Sequence, residues 1–267
     1  MSDFGGSDAP LTDEELAKAR PNCFLPSVLG GVVPIYNLPG ITRELRFTPE
    51  VLAGIYLGTI RNWNDPAITG INPGSSLPDR CIEVIYRGDP SGTSYIWTEF
   101  VSKVSGGWKN RVGRGIDVKW PVGKPSAQGS GSLARLVKET PNSIGYLELT
   151  FALQNILPFG WIRNLAGKFI KADLKTLSAA AASKTASIRG DDFRISLTNA
   201  SGESSFPIAS FTWLLVPRNS IVPSGGAALK DCLQWMLTEG QGFAVDLGYA
   251  RLPNQLIREE LAAVEKL

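Results

Sequence analysis

The 267-residue sequence contains no histidine. That excludes a Ser-His-Asp or Cys-His centre and nearly all catalytic zinc sites. Carboxylates alone can do acid–base work, but the usual general base near neutral pH is missing. A binding protein is therefore expected rather than an enzyme, with no catalytic residues, no metal and no cofactor. Cysteine is scarce too. Cys23, Cys81 and Cys232 are odd in number and far apart, so they make neither a metal spacing nor a disulfide framework, and three buried thiols are expected. No apolar run reaches the roughly 18 residues of a transmembrane helix, and the opening Met-Ser-Asp-Phe-Gly-Gly-Ser-Asp has neither the basic nor the apolar region of a signal peptide. Lys and Arg form no clustered stripe, which argues against nucleic acid as a partner. No Gly-x-x-x-x-Gly-Lys-Ser/Thr motif occurs. Gly129-Ser130-Gly131 with Ala134 matches a dinucleotide fingerprint only loosely, with no strand running into it and no acidic residue at the required distance.

What is present describes a globular chain: 43% hydrophobic, 19% charged and a net charge of +2. The length exceeds what one core usually serves, so two lobes are expected. Residues 1–8 read as a strand end running into a Gly-rich turn, which puts Asp8 in a loop. Thr12 with Glu15 makes a capping box for a helix to about residue 19. The apolar stretch 24–36, interrupted by Gly30-Gly31, reads as a long strand that bends at the glycines and crosses between lobes. Thr48-Pro49 starts a helix that stops at Gly58, and Trp63 reads as a packing residue. Cys81–Tyr86 reads as a strand, and Ser91–Val104 as a helix with Tyr95, Ile96, Phe100 and Val101 on its buried face. Val118–Trp120 is expected as a short strand, Ser126–Ser132 as a flexible loop, and Leu133–Lys138 as a helix. A strand over Ser143–Leu147, a hairpin around Asn164–Gly167 and an Ala-rich helix capped by Asp173 follow. Pro207–Val216 reads as a second crossover strand, and the C-terminus is helical. Strands alternate with helices throughout, so the class is α/β with mixed sheets.

The stretch Arg87-Gly88-Asp89-Pro90-Ser91-Gly92-Thr93-Ser94 lies between the expected strand and helix. The first amides of a helix have no intrahelical partner, and the helix dipole adds positive charge there. Gly92 clears the approach, Ser91 and Thr93 add hydroxyls, and Arg87 adds a planar charged fork. These are the parts of an oxyanion seat. They also fit an ordinary strand–turn–helix with Ser91 as N-cap and an Arg87–Asp89 surface pair.

Four motifs resemble the phosphate-binding proteins of phosphate-specific ABC transporters: Asp3-Phe-Gly-Gly-Ser-Asp-Ala-Pro-Leu, Ile55-Tyr-Leu-Gly-Thr-Ile-Arg-Asn-Trp, the seat itself, and Ser143-Ile-Gly-Tyr-Leu-Glu. The ending Asp246-Leu-Gly-Tyr-Ala-Arg-Leu-Pro fits the same family. The resemblance implies a type II periplasmic-binding-protein-like fold, two α/β lobes joined by two crossover strands with phosphate in the cleft. Residues 1–27 and 208–267 would form lobe one and residues 28–207 lobe two. Asp8 would accept a hydrogen bond from protonated phosphate, Arg87 would pair with its charge, and Ser91, Gly92 and Thr93 would donate to its oxygens. Ser7 and Asp89 would stand behind them, Asp89 holding Arg87. The implied partners are inorganic phosphate and membrane permease subunits, and the protein is expected as a monomer outside the cytoplasm. A phosphate-ester enzyme or a phosphate sensor using the same seat are the alternatives. The family normally begins with a further segment carrying a signal peptide and two more phosphate-contacting loops. A truncated N-terminus, weak phosphate binding and marginal stability are therefore expected of the chain as written.

Overall fold

The computed structural model describes residues 4–18, 22–126, 128–185, 187–188, 192–217 and 226–267. Asp3, residue 19 at the expected end of the first helix and Ala127 of the expected loop lie outside them. The chain opens with strand β1 (Gly5–Ser7), helix α1 (Asp13–Lys18) and a 16-residue strand β2 (Asn22–Asn37). Next come β3 (Arg46–Phe47), α2 (Pro49–Leu57), α3 (Pro66–Thr69) and β4 (Glu83–Arg87). The middle holds α4 (Gly92–Val104), α5 (Gly106–Arg111), β5 (Lys124–Ser126), α6 (Gly129–Glu139) and β6 (Ser143–Glu148). It continues through α7 (Leu149–Gln154), β7 (Trp161–Arg163), β8 (Phe169–Ile170) and α8 (Leu174–Thr185). Strand β9 (Ala209–Pro217) precedes α9 (Gly226–Leu237), α10 (Gly240–Asp246) and α11 (Asn254–Val264).

Six strands run in the order β1-β9-β2-β6-β4-β5, and β3, β7 and β8 form a small separate sheet. The long strand β2 organises the molecule. From Asn22 to Gly31 it pairs antiparallel with β9, and from Val32 to Asn37 antiparallel with β6. One strand thus changes partner along its length, from β9 to β6. Its irregularity in register falls between Pro26 and Val28 rather than at the glycines. Gly31 is needed for a different reason: a Cβ there would stand 2.6 Å from Leu177 Cδ2 of α8.

Local chemistry explains most helix starts. Thr12 and Glu15 form the reciprocal capping box, with Thr12 N donating to Glu15 Oε2 at 2.8 Å and Glu15 N to Thr12 Oγ1 at 3.2 Å. Thr48 accepts from Val51 N at the head of α2, and Gly58 ends it in the left-handed region at φ 76°. Asp173 Oδ1 accepts from Thr176 N at 2.7 Å to start α8.

Several expectations need correction. Gly5–Ser7 is a paired strand, not a turn, because β9 offers it a hydrogen-bonding edge. Val118–Trp120 is not a strand. Trp120 instead joins an aromatic cluster, stacked on Tyr86 and Tyr146 at 5.0 and 5.5 Å between ring centroids. Helix α6 begins at Gly129, not Leu133, so most of the Gly-Ser segment is helical. Only Cys23 is buried. Cys81 precedes β4 and Cys232 is on the outside of α9, and both are exposed. No helix among the described residues is long and apolar enough to cross a membrane.

Candidate anion site

Strand β4 delivers Arg87 to the point where the chain turns into α4. Its guanidinium is held by Asp89, with Nε donating to Oδ1 at 2.7 Å and Nη2 to Oδ2 at 2.6 Å. This bidentate pair fixes the plane of the fork, and Nη1 donates to Ser130 Oγ at 3.2 Å. One N–H on each terminal nitrogen is not used in these bonds. Asp89 does a second job, since Gly129 N lies 3.4 Å from each of its carboxylate oxygens. That contact anchors the start of α6, which explains why a Gly-Ser segment is helical there. The Asp89 carboxyl is held below its usual value, first by the hydrogen bonds from Arg87.

Ser91 caps α4, its hydroxyl oxygen accepting from Ser94 N at 3.3 Å. The amides of Gly92 and Thr93 come first in the helix and have no intrahelical acceptor. The side chains of Ser91 and Thr93 are buried. Beneath them, the Tyr146 hydroxyl accepts from Arg87 N at 3.1 Å and shares a 2.6 Å hydrogen bond with Ser94 Oγ. The Tyr146 ring stacks on Trp97 with centroids 5.2 Å apart. Burial pushes the Tyr146 phenol up to about 12, so it stays neutral. The seat is therefore braced from below by a rigid aromatic floor.

Asp8 comes to this seat from β1, the other side of the molecule. A Cβ on Gly92 would stand 2.5 Å from Asp8 Cβ and 2.8 Å from Oδ2. The missing side chain of Gly92 thus makes room for Asp8, and not only for an incoming ligand. Asp8 Oδ1 accepts from Thr212 Oγ1 of β9 at 2.5 Å, while burial raises the Asp8 pKa above its ordinary value. Ser7 holds the turn that aims Asp8, donating to Ala9 O at 2.7 Å and accepting from Ala9 N at 3.1 Å.

Sequence reasoning missed one member of this group. Glu148, at the end of β6, turns its carboxyl towards Tyr249, whose hydroxyl lies 3.5 Å from Oε2. It occupies the N-cap position of α7 without capping it. Burial, followed by the charge of Asp8, lifts its pKa to about 7. The available signal was the period of β6, which puts Glu148 on the same face as Tyr146. A cavity of about 430 Å³ beside the seat, lined in part by Pro10, Tyr95, Arg114 and Arg194, has its arginines already engaged. Arg194 binds Asp192 and Asp13, and Arg114 binds Glu99. Among the described residues no cluster of histidine, cysteine and acidic side chains could hold a metal ion.

The arrangement can hold a small tetrahedral oxyanion: a fixed guanidinium, two helix amides and two hydroxyls on one side, and a carboxyl that requires a protonated ligand on the other. Comparison with known proteins agrees. The model of the PBP superfamily domain matches residues 1–239. The phosphate-binding protein PstS of Xylella fastidiosa is 40% identical over 258 residues, covering 96% of this chain and 70% of the relative. That of Pasteurella multocida is 40% identical over 259 residues, covering 96% and 74%. A high-affinity periplasmic phosphate-binding protein solved with phosphate bound superposes with a TM-score of 0.75 at 20% identity, covering 97% of this chain and 78% of that one. The chain belongs to the PstS family of phosphate-binding proteins, within the PBP superfamily.

Proposed function

We propose that the protein captures inorganic phosphate at the Arg87–Thr93 seat, as the solute-binding component of an ABC importer, and passes it to membrane permease subunits. It works as a monomer outside the cytoplasm, by binding rather than turnover. In this reading, Arg87 pairs with the anion's charge, the Gly92 and Thr93 amides and the Ser91 and Thr93 hydroxyls donate to its oxygens, and Asp8 accepts its proton. Residues 1–27 and 208–267 act as one lobe and residues 28–207 as the other.

The observation that carries the reading is the approach of Asp8 to Gly92 at the head of α4. A carboxylate against an anion seat is repulsive unless the anion brings a proton. Near neutral pH phosphate does and sulfate does not. Leaving a charged partner desolvated and unmatched costs about 1–3 kcal/mol or more, so the selection is partly by exclusion.

Calorimetric titration with phosphate and with sulfate tests this. Phosphate is expected to bind and sulfate to bind at least about tenfold more weakly, one decade being about 1.4 kcal/mol. Equal affinity for the two anions, or no phosphate binding, overturns the reading.

A further inference from the structure

A carboxyl has two oxygens, and what Asp8 does for a ligand depends on which of them meets it. Strand pairing decides this. The last pair of β1 and β9 is Ser7 with Trp213. One step further sets Asp8 opposite Thr212, and side chains opposite each other on one face of a sheet touch. The Thr212 hydroxyl donates to Asp8 Oδ1 at 2.5 Å and has no other acceptor among the described residues. Asp8 Oδ2 has no donor among them. It faces the head of α4, where a Cβ on Gly92 would be 2.8 Å away. One oxygen is tied to the fold and the other is turned to the seat.

Thr212 is itself held from the far side. Strand β9 runs between β1 and β2, and the irregularity of β2 falls opposite this residue. Pro26 pairs with Trp213 and Val28 with Thr212, which leaves Ser27 as the extra residue of a bulge. The Ser27 hydroxyl donates to Thr212 O at 2.9 Å. The carbonyl of Ser27 accepts from Gln241 Nε2 of α10 at 3.0 Å. Gln241 is buried, donates also to Met236 O at 3.1 Å and accepts from Leu252 N at 3.0 Å. Thr212 is therefore braced by β2 on one edge and spends its hydroxyl on Asp8 at the other.

An ionised carboxyl only accepts hydrogen bonds, whereas a protonated one also donates. Burial pushes Asp8 towards the protonated form. A donor on Oδ1 favours the ionised form and opposes that push. We propose that Thr212 determines the specificity of the anion seat: by donating to Oδ1 it keeps Asp8 an acceptor at Oδ2, so the seat takes an oxyanion that brings a proton and refuses one that does not. Thr212 is a positioning residue, acting on the ligand through Asp8. The inference rests on the phosphate reading of the seat. Without this hydroxyl the buried carboxyl takes up a proton more readily and can donate through Oδ2 to an oxygen of sulfate. Sulfate binding then tightens. Phosphate, which carries both an O–H and bare oxygens, can pair with either form of Asp8 and is affected less.

The test is calorimetric titration with phosphate and with sulfate at neutral pH. Thr212→Val keeps the branched shape suited to a strand and removes the donor. Thr212→Ala removes the donor without placing a methyl in the hydroxyl's position, and Thr212→Ser restores the donor. Thr212→Val and Thr212→Ala are expected to lower the preference for phosphate over sulfate by about tenfold, mainly through tighter sulfate binding, and Thr212→Ser to keep the wild-type preference. In an Asp8→Asn background, Thr212→Val should lower the preference no further, because the two residues act as one unit. A merely structural role would weaken both anions alike, whatever stands at Asp8. Wild-type preference in both deletions, equal loss for the two anions, a Thr212→Ser protein that behaves like Thr212→Val, or a further drop in the Asp8→Asn background overturns the inference while phosphate binding itself stands. A wild type that binds no phosphate, or binds both anions equally, overturns the functional reading and this inference with it.

Discussion

Near the middle of α4, Glu99 is almost saturated with donors. Arg114 Nη1 lies at 3.0 Å, Ser196 Oγ at 2.6 Å, Thr198 Oγ1 at 2.8 Å and Lys103 Nζ at 3.7 Å. At the head of the same helix, Asp8 has one side-chain donor, Thr212, and among the described residues Glu148 has only a long contact from Tyr249. Both regions gather carboxyls beside arginine, but only the first is complete. A saturated carboxylate ties segments of the chain together and has nothing left to offer a ligand. An under-supplied one keeps its capacity for a proton, and Asp8 and Glu148 are both pushed up by burial for that reason.

The largest effect should come from removing the cation of the incomplete end. Arg87→Ala should weaken phosphate binding by about a hundredfold or more, roughly 3 kcal/mol, measured by calorimetry. Wild-type affinity in that variant would place the anion elsewhere. At the saturated end the reverse split is expected. Glu99→Gln should cost about 2 kcal/mol of stability in a denaturant melt and leave phosphate affinity unchanged. That is below the usual range for breaking a buried pair, because Arg114 is half exposed. A loss of affinity there would erase the distinction between the two ends.

Asp8→Asn should leave phosphate bound while lowering its preference over sulfate by about tenfold, or 1.4 kcal/mol, read by competition. The smallest effect concerns a third carboxyl. Glu260 in α11 is 0% exposed and both its oxygens lack a partner. Burial holds its pKa well above the unfolded value of 4.5. A group with a raised folded pKa is best tolerated below the unfolded value, and the fold loses stability as pH climbs past it. Glu260→Leu should therefore stabilise the protein by about 1 kcal/mol at neutral pH and by little at acid pH. A gain that does not change with pH would point to packing instead.

What could be read from the sequence was the part written in neighbouring residues. The Thr12–Glu15 box, the Thr48-Pro49 start and the Asp173 cap each satisfy amides within a turn, and each stands where expected. The long strand was legible because no other element uses so many apolar residues in a row, and the Arg87–Asp89 pair is two residues apart. What the sequence hid depends on partners far along the chain. Gly129-Ser130-Gly131 reads as loop until Asp89 anchors it and α6 packs on Gly145, where a Cβ would be 2.9 Å from Val137. Trp120 reads as strand until Tyr86 and Tyr146 claim its ring. Glu148 reads as the last residue of a strand, and its meaning comes from Asp8, which is 140 positions away.

Strand β2 changes partner between Gly31 and Val32, with hydrogen bonds holding it on both sides of that step. Mechanically it is a torsion bar clamped at both ends. Leu177 lies against Gly31 at that joint, where a Cβ would stand 2.6 Å from its Cδ2. Asp8 belongs by pairing to the β9 side of the bar, and Arg87 and Glu148 to the β6 side. Asp8 and Arg87 thus face each other across the place where one strand changes partner.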